Sequence, residues 1–295
     1  MENADSDFSV ALVVPSVGRN EVLSELLQET LSDSDFRLND CIVVVVPAGE
    51  PFPKSESPRV NFLFSERGSC RQRNAAIDFL VSTGKKFGAI AFLDDDVVLC
   101  AGFFGHLRAI HWKHPDVAGF TFRVIADGAT KAPISRADAT RILAEWQPMA
   151  EGTWRIPRKD PYGGFSMRGD LLGSLSFDER MGENAFMEDW DFYARLRAHG
   201  ETCHSPNTAL VHLAVKGGRV SERKRGYSQM MNPLYLADKG TLSLKDAVKH
   251  TLRVFFSNLR HMQHQNRRAR LAGNLRAFSD FIKWGPCPER VTELP

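Results

Sequence analysis

Cysteine is scarce in the sequence, and no two cysteines are arranged as a ligand pair. The chain has five, scattered, odd in number and never in CxxC spacing: Cys41, Cys70, Cys100, Cys203 and Cys287. This pattern excludes a disulfide framework and lacks the paired spacing of a structural zinc site. We therefore expect the cysteines to be reduced packing residues.

Long hydrophobic runs are missing too. Unbroken apolar stretches such as Ile42–Val46 are far too short to span a bilayer, and the acidic start with Glu2, Asp5 and Asp7 is unlike the basic start of a signal peptide. At 295 residues and 43% hydrophobic, the chain can form one large domain, alone or with an appendage. These features predict a cytoplasmic protein.

Basic excess is confined to one part of the chain. Residues 1–215 hold 22 Lys and Arg against 30 Asp and Glu, whereas residues 216–283 hold 15 against 4. From about Leu242 to Phe281 the pattern is helical, with an apolar stripe of Val248, Leu252, Phe255 and Leu259. Nucleic acid is not expected as a partner, because no recognition motif or interleaved stacking aromatics accompany the basic residues. Contact with an anionic membrane surface at the inner face, dimer formation and docking on the domain remain open.

Short apolar strands alternate with helices over the first two thirds of the chain, which predicts an α/β fold with a mostly parallel sheet covered by helices. The expected strands are Val10–Val14, Ile42–Val46, Val60–Phe64, Ala89–Leu93, Val117–Phe122 and Thr208–Leu213, and the segment from Tyr162 to Arg168 is expected to be a loop that enters a further strand. The expected helices cover about Glu21–Leu31, Ser69–Val81, Gly102–Lys113 and Met187–Ala198. The stretch 126–150 receives no assignment.

Three consecutive aspartates, Asp94, Asp95 and Asp96, follow the fourth expected strand. Open α/β sheets bind ligands at this end of their strands. Clustered carboxylates repel one another unless a cation lies among them, so a hard divalent ion, Mg²⁺ or Mn²⁺, is the simplest explanation. A solvated acidic turn is the alternative for such a short motif.

Two further candidates for chemistry come late in the chain. Glu188 and Asp189 open a helix, where either carboxylate is placed to act as a general base, although acids are also favoured there by the helix dipole. Asp191 and Arg195 are spaced to form a structural ion pair. His212 ends the last expected strand, and a neutral imidazole that joins two carboxylates makes a suitable Mn²⁺ site.

Arg71, Arg73 and Asn74 begin a helix after a strand, a place suited to phosphate oxygens but also to a solvated first turn. Gly163 and Gly164 either let the backbone approach a sugar ring closely or form a simple turn.

Taken in order, these motifs resemble the family-2 glycosyltransferases, inverting enzymes of the GT-A fold. The resemblance covers about residues 10–215 and rests on Val13-Val14-Pro15-Ser16, Arg71 to Asn74, Phe92-Leu93-Asp94-Asp95-Asp96, Gly163-Gly164-Phe165, Phe177-Asp178-Glu179, Glu188-Asp189-Trp190-Asp191 with Arg195 and Gly200, and Val211-His212.

The resemblance implies a metal-dependent enzyme that moves a sugar from a nucleotide-diphosphate donor to a hydroxyl of a glycan, lipid-linked or small-molecule acceptor, as in polysaccharide synthesis. It implies Asp94, Asp96 and His212 as ligands of Mn²⁺ or Mg²⁺, and Asp189 as catalytic base with Glu188 beside it. The donor would lie against Pro15, Ser16, Arg19, Arg71, Arg73, Asn74, Asp94, Asp95, Gly163 and Gly164.

It also implies a catalytic domain over residues 1–215, with the nucleotide-sugar part in 1–100 and the acceptor side in 101–215. Residues 216–295 would form a basic helical C-terminal extension. Family members commonly have an acidic residue just after the second strand, where this chain has Pro47 and then Glu50, so the choice among UDP, dTDP and GDP stays open.

Two other functions remain as alternatives. A sugar nucleotidyltransferase is also an α/β protein with metal-binding aspartates, but no glycine-rich, lysine-bearing loop follows the first strand, where Pro15-Ser16-Val17-Gly18-Arg19 stands. A catalytically inactive nucleotide-sugar-binding protein is the other, and the retention of Asp189 and His212 argues against it.

Overall fold

We describe a computed structural model of the chain, which covers residues 8–130, 132–149, 161, 164–183, 186–215, 217 and 220–295. The chain divides into two compact units. The first comprises Met1–Glu66, Gln72–Ser176 and Leu196–Gly218, and the second comprises Arg67–Arg71, Phe177–Arg195 and Arg219–Pro295.

The first unit is built on a mixed sheet. Its eight described strands are β1 Val10–Pro15, β2 Cys41–Pro47, β3 Val60–Ser65, β4 Ala89–Phe92, β5 Val97–Leu99, β6 Val117–Asp127, β7 Phe165–Arg168 and β8 Glu201–His212. They are arranged in the order β3-β2-β1-β4-β7-β6-β8-β5. Four of the neighbouring pairs are parallel, and the pairs β4–β7, β6–β7 and β5–β8 are antiparallel.

The central strands β1, β2 and β4 are buried almost throughout, as their continuous apolar sequences predict. Around them lie α1 Asn20–Ser32, α2 Ser69–Ser82, α3 Phe103–Lys113 and α4 Arg136–Glu145. The expected helices in the ranges of α1 to α3 are confirmed to within about one residue. Helix α4 fills part of the unassigned stretch, and its N-terminus is capped by the Ser135 side chain, which accepts from the Asp138 amide.

Two of the sequence expectations for the sheet were too short, and one strand was missed. Strand β6 extends to Asp127 and β8 begins at Glu201, because the two pair with each other along most of their length. The missed strand β5 has three residues and directly follows the aspartates. These differences matter for function, since β5, β6 and β8 carry the residues around His212.

The second unit is helical. It contains most of α5 Glu188–Leu196, together with α6 Glu222–Lys239, α7 Leu244–Arg260 and α8 Gln265–Trp284. Helices α6 and α8 approach backbone to backbone at Gly226 and Gly273, since a Cβ at either position would lie about 2.1 Å from a carbonyl oxygen of the other helix. Tyr227 and Met231 of α6 are buried in this core with Ala277 of α8. Helix α6 lies in the C-terminal extension expected to be mainly helical but was not predicted as a separate helix, whereas α7 and most of α8 lie in the stretch whose pattern is itself helical.

The predicted fold class is confirmed: an α/β fold with a mostly parallel central sheet and flanking helices, followed by a C-terminal helical part. Within the residues that the structure covers, no helix combines the length and the apolar character that crossing a membrane requires.

Candidate metal and donor site

The three aspartates follow β4 at the end of the sheet where parallel strands β1 and β2 also finish. The Leu93 amide donates to the Val13 carbonyl oxygen at 3.1 Å, so the chain leaves the sheet only at Asp94. The Asp94 side chain is 53% exposed, whereas those of Asp95 and Asp96 are buried. The cluster is therefore divided into one carboxylate that faces outward and two that face the protein.

His212 lies beside Asp96 because of the pairing of β5 with β8. Val97 is opposite His212 in this antiparallel ladder, which brings the residue before Val97 close to the imidazole. One ligand atom from each of Asp94, Asp96 and His212 lies within 4.8 Å of the others. Residues far apart in sequence thus meet in one cluster, as the strand-end argument predicts.

Asp127 fixes the orientation of the His212 ring, and sequence reasoning missed it. Asp127 ends β6 opposite His212 in the parallel β6–β8 ladder, and its Oδ1 lies 2.7 Å from His212 Nδ1. A proton on Nδ1 is donated to this carboxylate, which leaves Nε2 on the side of Asp96, at 3.5 Å from Asp96 Oδ1. Histidine ligands of metals characteristically have such a carboxylate on the other ring nitrogen.

Arg19 compensates much of the negative charge of the aspartates. Its guanidinium pairs with both oxygens of Asp95 and donates from Nη1 to Asp96 Oδ2 at 2.8 Å. The sequence argument took a hard divalent ion as the simplest explanation of the three carboxylates, and the structure adds Arg19 as a cation that already lies beside two of them. The donor-binding role expected for Arg19 stays a prediction.

The pKa values of the cluster follow from burial and these partners. Burial raises the pKa of Asp95 to about 7, although Arg19 and the Ser16 hydroxyl favour its charged form. For Asp96, burial would raise the pKa, but His212 and Arg19 outweigh it and lower the pKa. Burial acts in the opposite direction on the imidazole of His212 and would lower its pKa. The carboxylates of Asp96, Asp94 and Asp127 outweigh this effect and raise the pKa to about 9.

The donor set of Asp94, Asp96 and His212 fits a divalent ion. Asp96 Oδ1 is buried and has no hydrogen-bond partner among the described residues, although its sister oxygen Oδ2 accepts from Arg19 and from the Val215 amide at 3.0 Å. A buried carboxylate oxygen left over beside an imidazole nitrogen and an outward carboxylate is what a hard or borderline cation requires. The choice between Mn²⁺ and Mg²⁺ stays open.

Several predicted donor-binding residues of the first unit gather around this cluster. Ser16 donates to Asp95, and Arg73, 4% exposed in its side chain, lies 3.4 Å from Asp94 Oδ1. Gln72, which the sequence analysis did not single out, donates to the Ser16 and Val45 carbonyl oxygens at 3.1 and 2.6 Å. These bonds connect α2 to the ends of β1 and β2. Pro15, another predicted donor-binding residue, is the last residue of β1.

Gly164 packs against the strand that carries the aspartates. Its φ of +115° suits glycine, and a Cβ there would lie 2.9 Å from the Phe92 carbonyl oxygen. The close approach seen at Gly164 is therefore to β4, and its expected contact with a sugar stays a prediction. Gly163 lies outside the described residues.

The remaining candidate residues lie on α2 and at the start of α5. Asn74 is half-buried on α2 in the first unit. In the second unit Arg71 lies 3.7 Å from Glu179, and Glu188 accepts from Ser69 at 3.2 Å. Asp189 occupies the first turn of α5.

Helix α5 is anchored by the predicted ion pair of Asp191 with Arg195, which the structure confirms at 2.9 Å. Asp191 is fully buried and also accepts from Lys239 Nζ at 2.8 Å. Lys239 donates as well to Asp178, at 2.5 Å, so one ammonium joins two acids from separate segments of the second unit. The segment that bears Asp189 is thereby attached to α6.

The sheet and its strand-end cluster define an α/β fold with a candidate metal site at the strand ends, in agreement with the GT-A type that the resemblance implied. No protein-family model matches the sequence, and no curated protein matches it either. Solved structures do match.

TarS 1–349 of S. aureus in complex with UDP-GlcNAc has a TM-score of 0.55 and 16% sequence identity, with 97% of this chain and 84% of that chain covered. The mannosyltransferase PcManGT from Pyrobaculum calidifontis, in complex with GDP-Man and Mn²⁺, has a TM-score of 0.50 and 14% identity, over 96% of this chain and 78% of that one. At this identity the likeness concerns the fold.

Proposed function

We propose that this protein is a metal-dependent inverting glycosyltransferase that moves a sugar from a nucleotide-diphosphate donor to a hydroxyl acceptor, in glycan or polysaccharide synthesis. The observation that carries the proposal is the cluster of Asp94, Asp96 and His212 at the strand ends of this fold. Support comes from two similar structures, one of which contains GDP-Man with Mn²⁺ and the other UDP-GlcNAc.

In this proposal Asp94, Asp96 and His212 hold Mn²⁺ or Mg²⁺. When bound, the ion supplies Lewis-acid stabilisation of the negative charge that develops on the departing nucleoside diphosphate. The protein contributes a prearranged set of ligands: Arg19 and the Val215 amide fix Asp96, and Asp127 fixes the imidazole. Asp95 acts as a positioning residue, because its contacts are with Ser16 and Arg19.

Asp189 is the proposed catalytic base, with Glu188 as its neighbour at the start of α5. A carboxylate that accepts the proton of the acceptor hydroxyl lets that oxygen attack the anomeric carbon from the face opposite the leaving group. A single displacement inverts the configuration and needs no covalent enzyme intermediate. Arg71, Arg73, Asn74 and the end of β1 at Pro15 and Ser16 are the proposed contacts of the diphosphate and sugar, with Gly163 and Gly164 near the sugar.

We assign the catalytic domain to residues 1–215, with the nucleotide-sugar part in 1–100 and the acceptor side in 101–215. Residues 216–295 form the C-terminal extension. The alternation of strands and helices in the first range and the run of long helices in the second support this division.

The test is release of nucleoside diphosphate from UDP-GlcNAc, GDP-Man and UDP-glucose, with Mn²⁺, by the wild type and by Asp96→Asn and Asp189→Asn. We expect Asp189→Asn to lower turnover by about 10²- to 10⁴-fold, since a general base contributes about that much. Asp96→Asn should weaken Mn²⁺ binding in calorimetry without any donor. The matched control is Asp170→Asn, an exposed aspartate paired with Arg168.

Full turnover in both site variants, with folding intact, would refute the proposal. Pyrophosphate release from a nucleoside triphosphate and a sugar phosphate would establish the nucleotidyltransferase instead. Donor binding in calorimetry without turnover across a broad acceptor panel would establish an inactive binding protein.

A further inference from the structure

The second unit exposes an unusual amount of apolar side chain on two consecutive helices. Of the fifteen large hydrophobic residues that are exposed in the described chain, ten fall between Leu244 and Trp284. Five of these are on α7, one is on the turn after it, and four are on α8: Leu244, Val248, Leu252, Phe256, Leu259, Met262, Leu275, Phe278, Ile282 and Trp284. A concentration of this kind marks an interaction surface.

The buried, the exposed apolar and the basic residues of α7 lie on three different faces of the helix. Ala247, Thr251 and Asn258 are buried and face the unit. Leu244, Val248, Leu252 and Phe256 recur every fourth residue and form an exposed apolar row. Leu259 extends this apolar side by one further turn, at 41% exposure.

A basic row lies directly beside the apolar one. Lys245, Lys249 and Arg253 each follow a member of the apolar row by one residue, and Arg260 continues this side of the helix. All four are exposed, and none forms an ion pair with any residue that the structure describes. Their charge is therefore available to a partner.

Helix α8 carries a second exposed apolar row. Leu275, Phe278 and Ile282 recur at helical spacing and are 54%, 51% and 68% exposed. The two helices are held together in part by Asn258, which donates to Asn274 at 2.9 Å. Trp284 ends α8, with Lys283 beside it.

Acidic residues scarcely oppose this charge. Between Leu244 and Trp284 there are nine lysines and arginines but two acids, Asp246 and Asp280. Asp280 is buried and paired with Arg276, while Asp246 accepts from the Ser243 hydroxyl at the start of α7. The exposed surface is thus apolar and positive together.

This combination of apolar and basic side chains favours one kind of partner over others. A second copy of the chain would bring the same unpaired lysines and arginines against one another, which costs free energy. A nucleic acid would use the positive charge but leave the exposed leucines, phenylalanines and isoleucine without a partner. An anionic bilayer satisfies both, because apolar side chains enter the acyl boundary while basic side chains meet lipid phosphates.

We propose that the exposed apolar and basic rows of α7, together with the exposed apolar row of α8, bind the surface of an anionic membrane. The apolar rows lie in the plane of the interface, and Lys245, Lys249 and Arg253 contact the headgroups. Such binding does not depend on the proposed transfer activity, so each can fail without the other.

The test is co-sedimentation of the full chain with vesicles of phosphatidylcholine alone and of phosphatidylcholine with phosphatidylglycerol. We expect binding to the anionic vesicles that weakens as NaCl is raised. Both Leu252→Ser/Phe256→Ser and Lys245→Gln/Lys249→Gln/Arg253→Gln should lower the partition coefficient at least about tenfold, since the apolar and charged contributions act together.

Matched controls come from the first unit. Leu38→Ser/Val81→Ser removes exposed apolar side chains, and Lys54→Gln/Lys86→Gln removes exposed charges. Both should bind vesicles like the wild type. Because every substituted side chain is exposed, thermal unfolding should be unchanged and will verify that each variant is folded.

Three outcomes would overturn the proposal. Anionic vesicle binding that neither α7 variant alters, or no binding at all, rules this surface out. Self-association in sedimentation velocity that Leu252→Ser/Phe256→Ser abolishes, without vesicle binding, assigns the face to a second copy. Binding of single-stranded DNA that only the charge variant loses, without vesicle binding, assigns it to nucleic acid.

Discussion

At the scale of single residues, the imidazole of His212 is held between carboxylates from two different segments. Asp127 lies on Nδ1 at 2.7 Å and Asp96 on the side of Nε2 at 3.5 Å. The first contact keeps a proton on Nδ1, and the second lies in the proposed metal site. Asp127 should therefore influence metal binding without being a ligand.

We expect Asp127→Ala to weaken Mn²⁺ binding by about 10- to 100-fold, the usual effect of losing such a partner. Asp127→Asn, whose side-chain oxygen still accepts from Nδ1, should bind Mn²⁺ more nearly as the wild type does. Free Mn²⁺ is measured by electron paramagnetic resonance, in the absence of any donor. Because Asp127 also accepts from the Ala129 amide, thermal unfolding of each variant is measured alongside. Equal affinity in the alanine variant and the wild type would contradict this role.

A second residue-scale feature is a histidine buried within the sheet region. His111 Nε2 lies 2.8 Å from the Ser166 hydroxyl, and its ring meets the edge of Phe120. Complete burial, with a smaller contribution from Arg168, lowers the pKa of His111 to about 3. The imidazole is therefore neutral in the folded protein over the whole physiological range.

This burial predicts a loss of stability in mild acid. Between pH values of about 6.5 and 3 the unfolded chain binds a proton at His111 that the folded chain does not, so the free energy of unfolding falls as the pH falls, by up to about 1.4 kcal/mol per pH unit. His111→Phe should flatten this part of the curve. Urea unfolding at a series of pH values measures it, with Trp112→Phe, the next residue on α3, as control. An unchanged slope in His111→Phe would show that other groups cause the acid sensitivity.

At the scale of elements, α5 is attached to α6 through buried charge. Lys239 donates to both Asp178 and Asp191, and Tyr235 also donates to Asp178, at 2.6 Å. Burial would raise the pKa of Asp178, but the bonds from Lys239 and Tyr235 outweigh it and lower the pKa. Asp178 therefore contributes stability that is lost as the pH falls through its folded pKa.

Lys239→Met should destabilise the protein by about 3 kcal/mol, because it leaves the buried carboxylate of Asp191 and the half-buried one of Asp178 without their shared ammonium. The control is Lys249→Met on α7, an exposed lysine with no ion pair among the described residues, which should change the free energy of unfolding by less than about 0.5 kcal/mol. Chemical denaturation compares the two. Similar values for both lysines would mean that the network contributes little.

Element boundaries were predictable where local sequence determines them. The bounds of α1 to α3 follow from apolar spacing between turn residues. Helix α6 escaped prediction because it contains Gly226 and Pro233 and buries the polar Ser228 and Asn232, so its pattern is not that of an amphipathic helix. Its stability comes from packing against α8, and the sequence pattern of α6 alone does not reveal this contact.

At the scale of the whole molecule, the sequence was sufficient to bring Asp94, Asp96 and His212 together, because all three stand at strand ends. It was not sufficient to find the partners of those residues. Strand β6 shifts register with β8 between Thr121 and Arg123 and again between Val124 and Ala126, and these irregularities decide that Asp127 meets His212. The placement of Arg19 between Asp95 and Asp96 is likewise a long-range contact that the chain order does not indicate.

The stability of the whole molecule should respond to donor and metal together if the proposed function holds. A nucleoside diphosphate that binds the folded state alone adds about 2.7 kcal/mol to the free energy of unfolding at a hundredfold excess over its dissociation constant. We expect a thermal shift for one of UDP, GDP and dTDP in the presence of Mn²⁺ and little shift without it, since in the proposed function Asp94, Asp96 and His212 would hold the diphosphate through the ion. Asp96→Asn should abolish the shift, and Asp170→Asn should retain it. Equal shifts with and without Mn²⁺ would argue that the diphosphate is held by arginines alone. The nucleobase of the diphosphate that gives the shift would also narrow the choice of nucleotide-sugar donor.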